Sequence, residues 1–188
     1  MKLLLIRHGE AEDKEGDIIL TERGRNEALC IAEHLSGTHI EKIYVSTLTR
    51  AKQTLEPLKK IRKDIPIVES DDIREIYRVL VGGPERDRTP VDREEKDRRR
   101  IEQFWDTVCK EEGVIAVFSH GNAIRYLLSK ALRLTRVNMW ENMLIMTGSI
   151  SIITINERKT RVEGVNMIDH LPHAAEIFLD GGSTVYHS

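Results

Sequence analysis

Val114-Ile115-Ala116-Val117-Phe118-Ser119-His120-Gly121 is an unbroken apolar run that stops on a polar, glycine-bearing turn. A short run without alternation reads as a strand covered on both faces, which is the habit of parallel sheets. The N-terminus repeats the pattern, with Lys2-Leu3-Leu4-Leu5-Ile6 closing on Arg7-His8-Gly9. Between these two, element types alternate. Thr21 is placed to cap a helix in which Ala28, Leu29, Ala32 and Leu35 recur at helical spacing, and Gly37 stops it. Ile40 to Val45 is a second strand. Ser46-Thr47 can cap a helix over about Leu48 to Arg62, with Leu55 and Leu58 on its apolar face, and Ile65 to Val68 is a short extended piece. Asp71 to Pro90 contains the breakers Gly82-Gly83-Pro84 and Pro90 and reads as loop. Asp92 to Lys110 is a charged helix with an apolar edge at Ile101, Phe104, Trp105 and Val108, ended by Gly113. Ser119-His120-Gly121-Asn122 is a turn and Ala123 to Leu132 a helix. Ile150 to Ile155 and Arg161 to Met167 are two strands joined near Asn156. This alternation predicts an α/β fold with a largely parallel sheet.

The chain has 188 residues, 40% apolar and 32% charged, with a formal net charge of -2. That suits one domain, here taken as 1–188, with a sizeable core. No overall field favours nucleic acid or an anionic membrane, so affinity for an anion must come from a local cluster. The arginines of Arg86 to Arg100 are interleaved with Asp87, Asp92, Glu94, Glu95 and Asp97, the pattern of a solvated helix face with i,i+4 ion pairs. Arg98-Arg99-Arg100 could still bias a nearby site towards anions. Cys30 and Cys109 make no disulfide framework and read as small buried thiols. The apolar start is too short for a signal peptide or a membrane span, and a cytoplasmic location is expected.

His8 and His120 each fall just past the C-terminal end of a strand. Ligands of open parallel sheets bind there, so the two imidazoles can converge although far apart in the chain. Each precedes a glycine, Gly9 or Gly121, whose backbone N–H can approach a ligand closely. Arg7 precedes His8, and Arg50 lies near the start of the helix after the second strand. Guanidinium groups match phosphate oxygens and stay charged. Two arginines, two histidines and helix N-termini suit a tetrahedral dianion. A neutral imidazole is a competent nucleophile for phosphoryl transfer, and surrounding cations favour the neutral form. The leaving group needs an acid. Glu75 is the candidate, although spacing alone does not select it over Glu69, Asp71 or Asp72.

Four segments, in order, resemble the histidine phosphatase superfamily, the phosphoglycerate-mutase-like group. They are Leu5-Ile6-Arg7-His8-Gly9-Glu10, Leu20-Thr21-Glu22-Arg23-Gly24, Ser46-Thr47-Leu48-Thr49-Arg50-Ala51-Lys52-Gln53-Thr54 and Ser119-His120-Gly121-Asn122-Ala123-Ile124-Arg125. The resemblance implies a three-layer α/β sandwich, mostly parallel with one antiparallel strand. It implies His8 as the phosphorylated nucleophile and Arg7, Arg50 and His120 as the phosphate pocket. Glu75 becomes the acid that later serves as base for water. Gly9, Gly121 and Asn122 line the substrate side, and no metal or organic cofactor is expected. The tail from Trp140, with Thr147-Gly148-Ser149-Ile150 entering a strand, resembles the phosphatase branch.

Lys14 stands where the mutase branch has asparagine, and the chain lacks the extra segments with which mutases close over a bisphosphate. Both favour hydrolysis, because a mutase must keep its phospho-enzyme dry. The expected activity is hydrolysis of a phosphomonoester, on a small metabolite or a phosphoprotein. Phosphoglycerate mutase and a non-catalytic phosphate-binding protein are the alternatives. No nucleic acid or membrane partner is expected, and a homo-oligomer stays open. The segment Ile76 to Pro84 lacks the tryptophan found in sugar-phosphate members. Asn122 could merely cap its helix, Arg78 reads as solvated, and Trp140, Met139 and Met143 as packing residues, with Trp140 able to roof the pocket. His170 and His173 flank Pro172 and read as loop histidines, and Asp180-Gly181-Gly182-Ser183 as a turn.

Overall fold

The computed structural model describes residues 1–14, 16–84, 92–134, 139–156, 159–172 and 174. Pro90, the Arg86-to-Pro90 stretch, His173 and the Asp180-to-Ser183 turn of the sequence reading lie outside them. Six strands form one sheet: β1 (Lys2–Arg7), β2 (Lys42–Ser46), β3 (Ile67–Ser70), β4 (Val114–Ser119), β5 (Ile150–Ile155) and β6 (Thr160–Met167), in the order β3-β2-β4-β1-β5-β6. β1 to β4 pair in parallel, and β5 runs antiparallel to both β1 and β6. One strand therefore opposes the other five, as the resemblance implied.

The pleat explains the layers. In β1, Leu3 and Leu5 point to one face and Leu4 and Ile6 to the other. Leu3 and Leu5 join Ile115, Val117, Ile101, Phe104, Ile124 and Leu128 in one apolar cluster. Leu4 and Ile6 join Ala116, Phe118, Ile43, Ile31 and Leu55 in a second. The first face is covered by α3 (Arg93–Val108) and α4 (Gly121–Ala131), the second by α1 (Glu22–Leu35) and α2 (Thr49–Ile61). Two covered faces make the three-layer sandwich, and they are why β1 and β4 carry no polar alternation.

Local chemistry sets the helix ends. Thr21 caps α1, its hydroxyl accepting from the Gly24 N–H. Within α1, Leu29 is 58% exposed. Its position follows Ala28 by 100° of rotation, which turns it off the stripe of Ala28, Ile31, Ala32 and Leu35. Neither Ser46 nor Thr47 caps α2. The Thr49 N–H donates to Asp17 Oδ1 at 2.8 Å and its hydroxyl to Asp17 Oδ2 at 2.7 Å, so the cap comes from a distant loop. α4 begins at Gly121, two residues before the expected start. Cys30 and Cys109 are half-buried, Cys30 packing beside Met146, Ile168 and Leu171. The charged face of α3 carries Arg98–Glu94, Arg99–Glu95 and Lys96–Asp92 ion pairs. Among the described residues no helix is long and apolar enough to cross a membrane.

Asp71–Ile73 and Arg78–Val81 form 3₁₀ turns inside the expected loop, the second ending on Gly82 at φ 82°. The β1–α1 connection folds back so closely that Gly9 and Gly24 touch. A Cβ on Gly24 would lie 1.9 Å from the Glu10 carbonyl oxygen, and one on Gly9 2.4 Å from the Gly24 carbonyl oxygen. Backbone oxygens cannot swing aside, so Gly24→Ala should destabilise the protein by about 1–3 kcal/mol, the usual range for overpacking. That outweighs the roughly 0.4–1 kcal/mol gained by stiffening the unfolded chain. A urea midpoint at or above that of the parent would contradict this contact.

Candidate active site

β1 and β4 are neighbours in register, Arg7 lying opposite Ser119. The next residue on each strand is a histidine, so His8 and His120 end side by side at the carboxyl edge. The His8 N–H donates to the Ser119 carbonyl at 3.0 Å, and the ring centroids are 5.1 Å apart. A cavity of about 630 Å³ opens over this edge, its wall including Arg7, His8, Arg50, Glu75, Asn122 and Arg125.

The tautomer of His8 follows from its partners. Its Nδ1 lies 2.8 Å from the Gly9 carbonyl, which can only accept. Nδ1 therefore carries the proton and Nε2 keeps its lone pair. Arg50 Nε donates to that Nε2 at 3.1 Å. Burial holds the His8 imidazole well below the usual histidine range, and Arg7 and Arg50 add to the effect. The sequence argument credited the cations; desolvation is the larger cause.

His120 is fully buried and does not line the cavity. Its Nε2 lies 2.8 Å from Ser46 Oγ, at the end of β2, and its Nδ1 has no partner among the described residues. Burial, then His8 and the arginines, keeps it neutral. Arg7 donates Nη1 to the Ile145 carbonyl and leaves Nε unpartnered among the described residues. Burial pushes its guanidinium down to about 10, which leaves it charged at neutral pH. Glu75 is half-buried beside both arginines. Its Oε1 accepts from the N–H groups of Ile76, Asn122 and Ala123 at 3.1, 3.1 and 3.3 Å, two of them from the first turn of α4. Burial raises its carboxyl above the ordinary range while Arg7, Arg50 and those N–H groups pull it back. The rival carboxylates are elsewhere: Glu69 pairs with Lys52, Asp71 accepts from Thr47 and pairs with Arg74, and neither these nor Asp72 lines the cavity.

Several expectations need correcting. The Gly9 N–H is not offered to a ligand: it donates to Thr54 Oγ1 at 2.9 Å, and Gly9 is required instead by its contact with Gly24. Gly121 does line the cavity, but a Cβ there would meet the Arg7 guanidinium at an ordinary 3.5 Å. Asn122 lines the cavity and also accepts from Arg125 Nη1 at 3.0 Å. Arg78 is not simply solvated; its guanidinium lies 5.4 Å from the Trp140 ring centroid, with Arg125 at 5.2 Å, and all three form part of the wall. Arg98 and Arg99 serve ion pairs on α3, and Arg100 binds Asp97 and nearby carbonyls, so none of the three lines the cavity. The sequence reading missed Arg125, Thr54 and the buried Glu27, which accepts from the Glu10 N–H at 2.7 Å. Arg125 and Thr54 lay inside the quoted motifs; Glu27 carried no signal of its own.

The cavity lining carries Arg7, Lys14, Arg50, Arg78, Arg93 and Arg125 against Glu10, Glu12, Asp13 and Glu75, an excess of positive charge. The guanidinium groups beside His8 suit an anion with oxygen acceptors. The histidines also set a pH dependence of stability. A histidine held below its ordinary value is less protonated folded than unfolded, so stability is lost as pH falls through the unfolded value of about 6.5. The urea midpoint should therefore drop between pH 7.5 and 5.5, and the drop should shrink in His120→Gln. An equal drop in both proteins would show that His120 titrates normally.

The sequence pattern of the histidine phosphatase superfamily (branch 1) matches residues 3–90 and 84–168. The serine/threonine-protein phosphatase PGAM5, mitochondrial, of Xenopus tropicalis is 30% identical over 171 residues, covering 81% of this chain and 59% of that protein. The chain thus spans less than two thirds of that relative. Phosphoserine phosphatase 1 of Hydrogenobacter thermophilus is 26% identical over 91% of this chain and 94% of its own. A crystal structure of a phosphoserine phosphatase from Entamoeba histolytica superposes with a TM-score of 0.70 at 24% identity, covering 90% of this chain and 98% of that one. Motif order, strand-end geometry and these matches agree: the chain belongs to the histidine phosphatase superfamily.

Proposed function

We propose that this chain is a metal-independent phosphatase that hydrolyses a phosphomonoester, of a small metabolite or a phosphoprotein, through a phosphohistidine at His8. The observation that carries the reading is the His8 imidazole itself, proton on Nδ1 and lone pair on Nε2 beside Arg50, at the floor of a cavity that also holds Glu75. Relatives named as phosphatases support the same reaction class.

The steps follow from the groups present. His8 Nε2 attacks phosphorus; the N–P bond forms as the ester P–O bond breaks. Arg7 and Arg50 hold the phosphoryl oxygens, and with the Ser46 hydroxyl donating a hydrogen bond to His120 Nε2, the His120 Nδ1–H is a further donor. This is charge stabilisation of the kind on which phosphoryl transfer depends. Protonated Glu75 gives its proton to the departing oxygen. Water then attacks the phosphohistidine, Glu75 takes a proton back, and inorganic phosphate leaves with His8 restored. The outer wall of Arg78, Arg125 and Trp140 receives the leaving group.

His8→Ala should lower turnover of an aryl phosphate by more than about 10³-fold, the scale of losing a nucleophile. It should also abolish acid-labile, alkali-stable phosphate on the protein. Full activity in that variant would defeat the reading. The pH profile of kcat/KM should be bell-shaped. The acid limb, from protonation of His8, lies below about 6.5 because burial lowers that group. The alkaline limb, from ionisation of Glu75, lies above the ordinary carboxylate value, and Glu75→Gln should remove it.

A further inference from the structure

Residues 74–77, which carry Glu75, belong to no helix or strand. Their backbone is nevertheless tied down by one ion pair on α3. Arg100 Nη1 donates to the carbonyls of Asp71, Asp72 and Arg74 at 3.1, 3.2 and 2.8 Å. Its Nη2 donates to the Glu75 carbonyl at 2.7 Å. The guanidinium is oriented by Asp97, whose Oδ1 accepts from Arg100 Nε at 3.0 Å and Nη2 at 2.8 Å. The other Asp97 oxygen, Oδ2, accepts from the Tyr77 N–H at 2.7 Å. Asp97 is buried and the Arg100 side chain is only 19% exposed. Five backbone groups, on both sides of Glu75, thus converge on two side chains one helical turn apart. From the sheet side, Ser119 Oγ donates to the Ile73 carbonyl at 2.8 Å.

This arrangement exceeds what a surface ion pair needs. A planar guanidinium presents five donors in a fixed fork, and here they fix the conformation of a segment that has no ladder of its own. Lysine, a single compact charge, could not span four carbonyls. The carboxylate these bonds serve lines the cavity and accepts from the first turn of α4, and a proton donor displaced by about 1 Å can lose much of its effect.

We propose that Asp97 and Arg100 are a positioning pair for the general acid, acting on the phosphoryl-transfer step through the backbone of Glu75. The proposal rests on the reading of Glu75 given above. Loss of the clamp should then mimic loss of the acid, and a merely structural role would not.

The test is leaving-group dependence of kcat/KM, which reports the steps up to departure of the alcohol. An alkyl phosphate needs its leaving oxygen protonated; 2,4-dinitrophenyl phosphate does not. Glu75→Gln should lower kcat/KM for the alkyl phosphate by about 10²–10⁴-fold, the usual worth of a general acid, and change that for the dinitrophenyl ester little. Arg100→Gln should show the same selectivity, at least about tenfold, with far-ultraviolet circular dichroism unchanged. If Arg100→Gln does not fold, the ratio is read from Arg100→Lys and Asp97→Asn. Equal losses on both esters in the clamp variants, with selectivity in Glu75→Gln, would overturn the clamp alone. No selectivity in Glu75→Gln would overturn the role of Glu75 and the clamp with it. Phosphate trapped on His8 with the dinitrophenyl ester tests the nucleophile separately.

Discussion

Arg50, which is buried, and Arg7, which is half-buried, face one half-buried carboxylate, Glu75, and the attraction among these three is the interaction on which the rest of the site depends. Burial lowers both guanidinium groups and raises Glu75, while each partner opposes the shift of the other. Buried charges are costly and are retained where they are paired and fixed. Here two guanidinium groups share one carboxylate and Arg125 adds a further cation beside it, which leaves a standing attraction for an anion. It also makes a proton on either nearby imidazole unfavourable, so His8, the proposed nucleophile, is kept neutral by its surroundings.

The fold supplies this site through strand order. The chain places β4 between β2 and β1, so the ends of three parallel strands meet at Ser46, His120 and His8. Two helices cover each face of the sheet, and His8 and His120 are buried at its carboxyl edge. The connection after β1 is locked by the Gly9–Gly24 contact and by Thr54, which accepts from the Gly9 N–H and donates to the Arg50 carbonyl. Thr54 thereby ties the loop that carries His8 to the helix that carries Arg50. The opposite side is held from α3, where Asp97 and Arg100 set the backbone around Glu75.

Most of the fold and the core of the site were legible in the sequence. Leu3 to Ile6 and Val114 to Phe118 are apolar on both faces, which a two-sided sheet explains, and the meeting of a histidine from each strand end follows from strand geometry. Three kinds of feature were not legible. The cap of α2 comes from Asp17, a contact no local spacing encodes. The purpose of Gly9 is close approach to the backbone of Gly24, where the sequence reading expected its N–H to meet a ligand. Arg100 looks like one more charge on a solvated helix, because its partners are carbonyl groups, which every residue has. Glu75 was separated from its neighbours by the resemblance alone; burial and the first turn of α4 now distinguish it physically.

The central claim is that His8, Arg7, Arg50 and His120 serve one phosphoryl group. A crystal structure with orthovanadate, which takes up the five-coordinate geometry of phosphorus in transfer, tests it most directly. The account predicts vanadium bonded to His8 Nε2, with equatorial oxygens on Arg7, Arg50 and His120 and an apical oxygen facing Glu75. Vanadate bound elsewhere in the cavity, with the ring of His8 turned from it, would contradict the account.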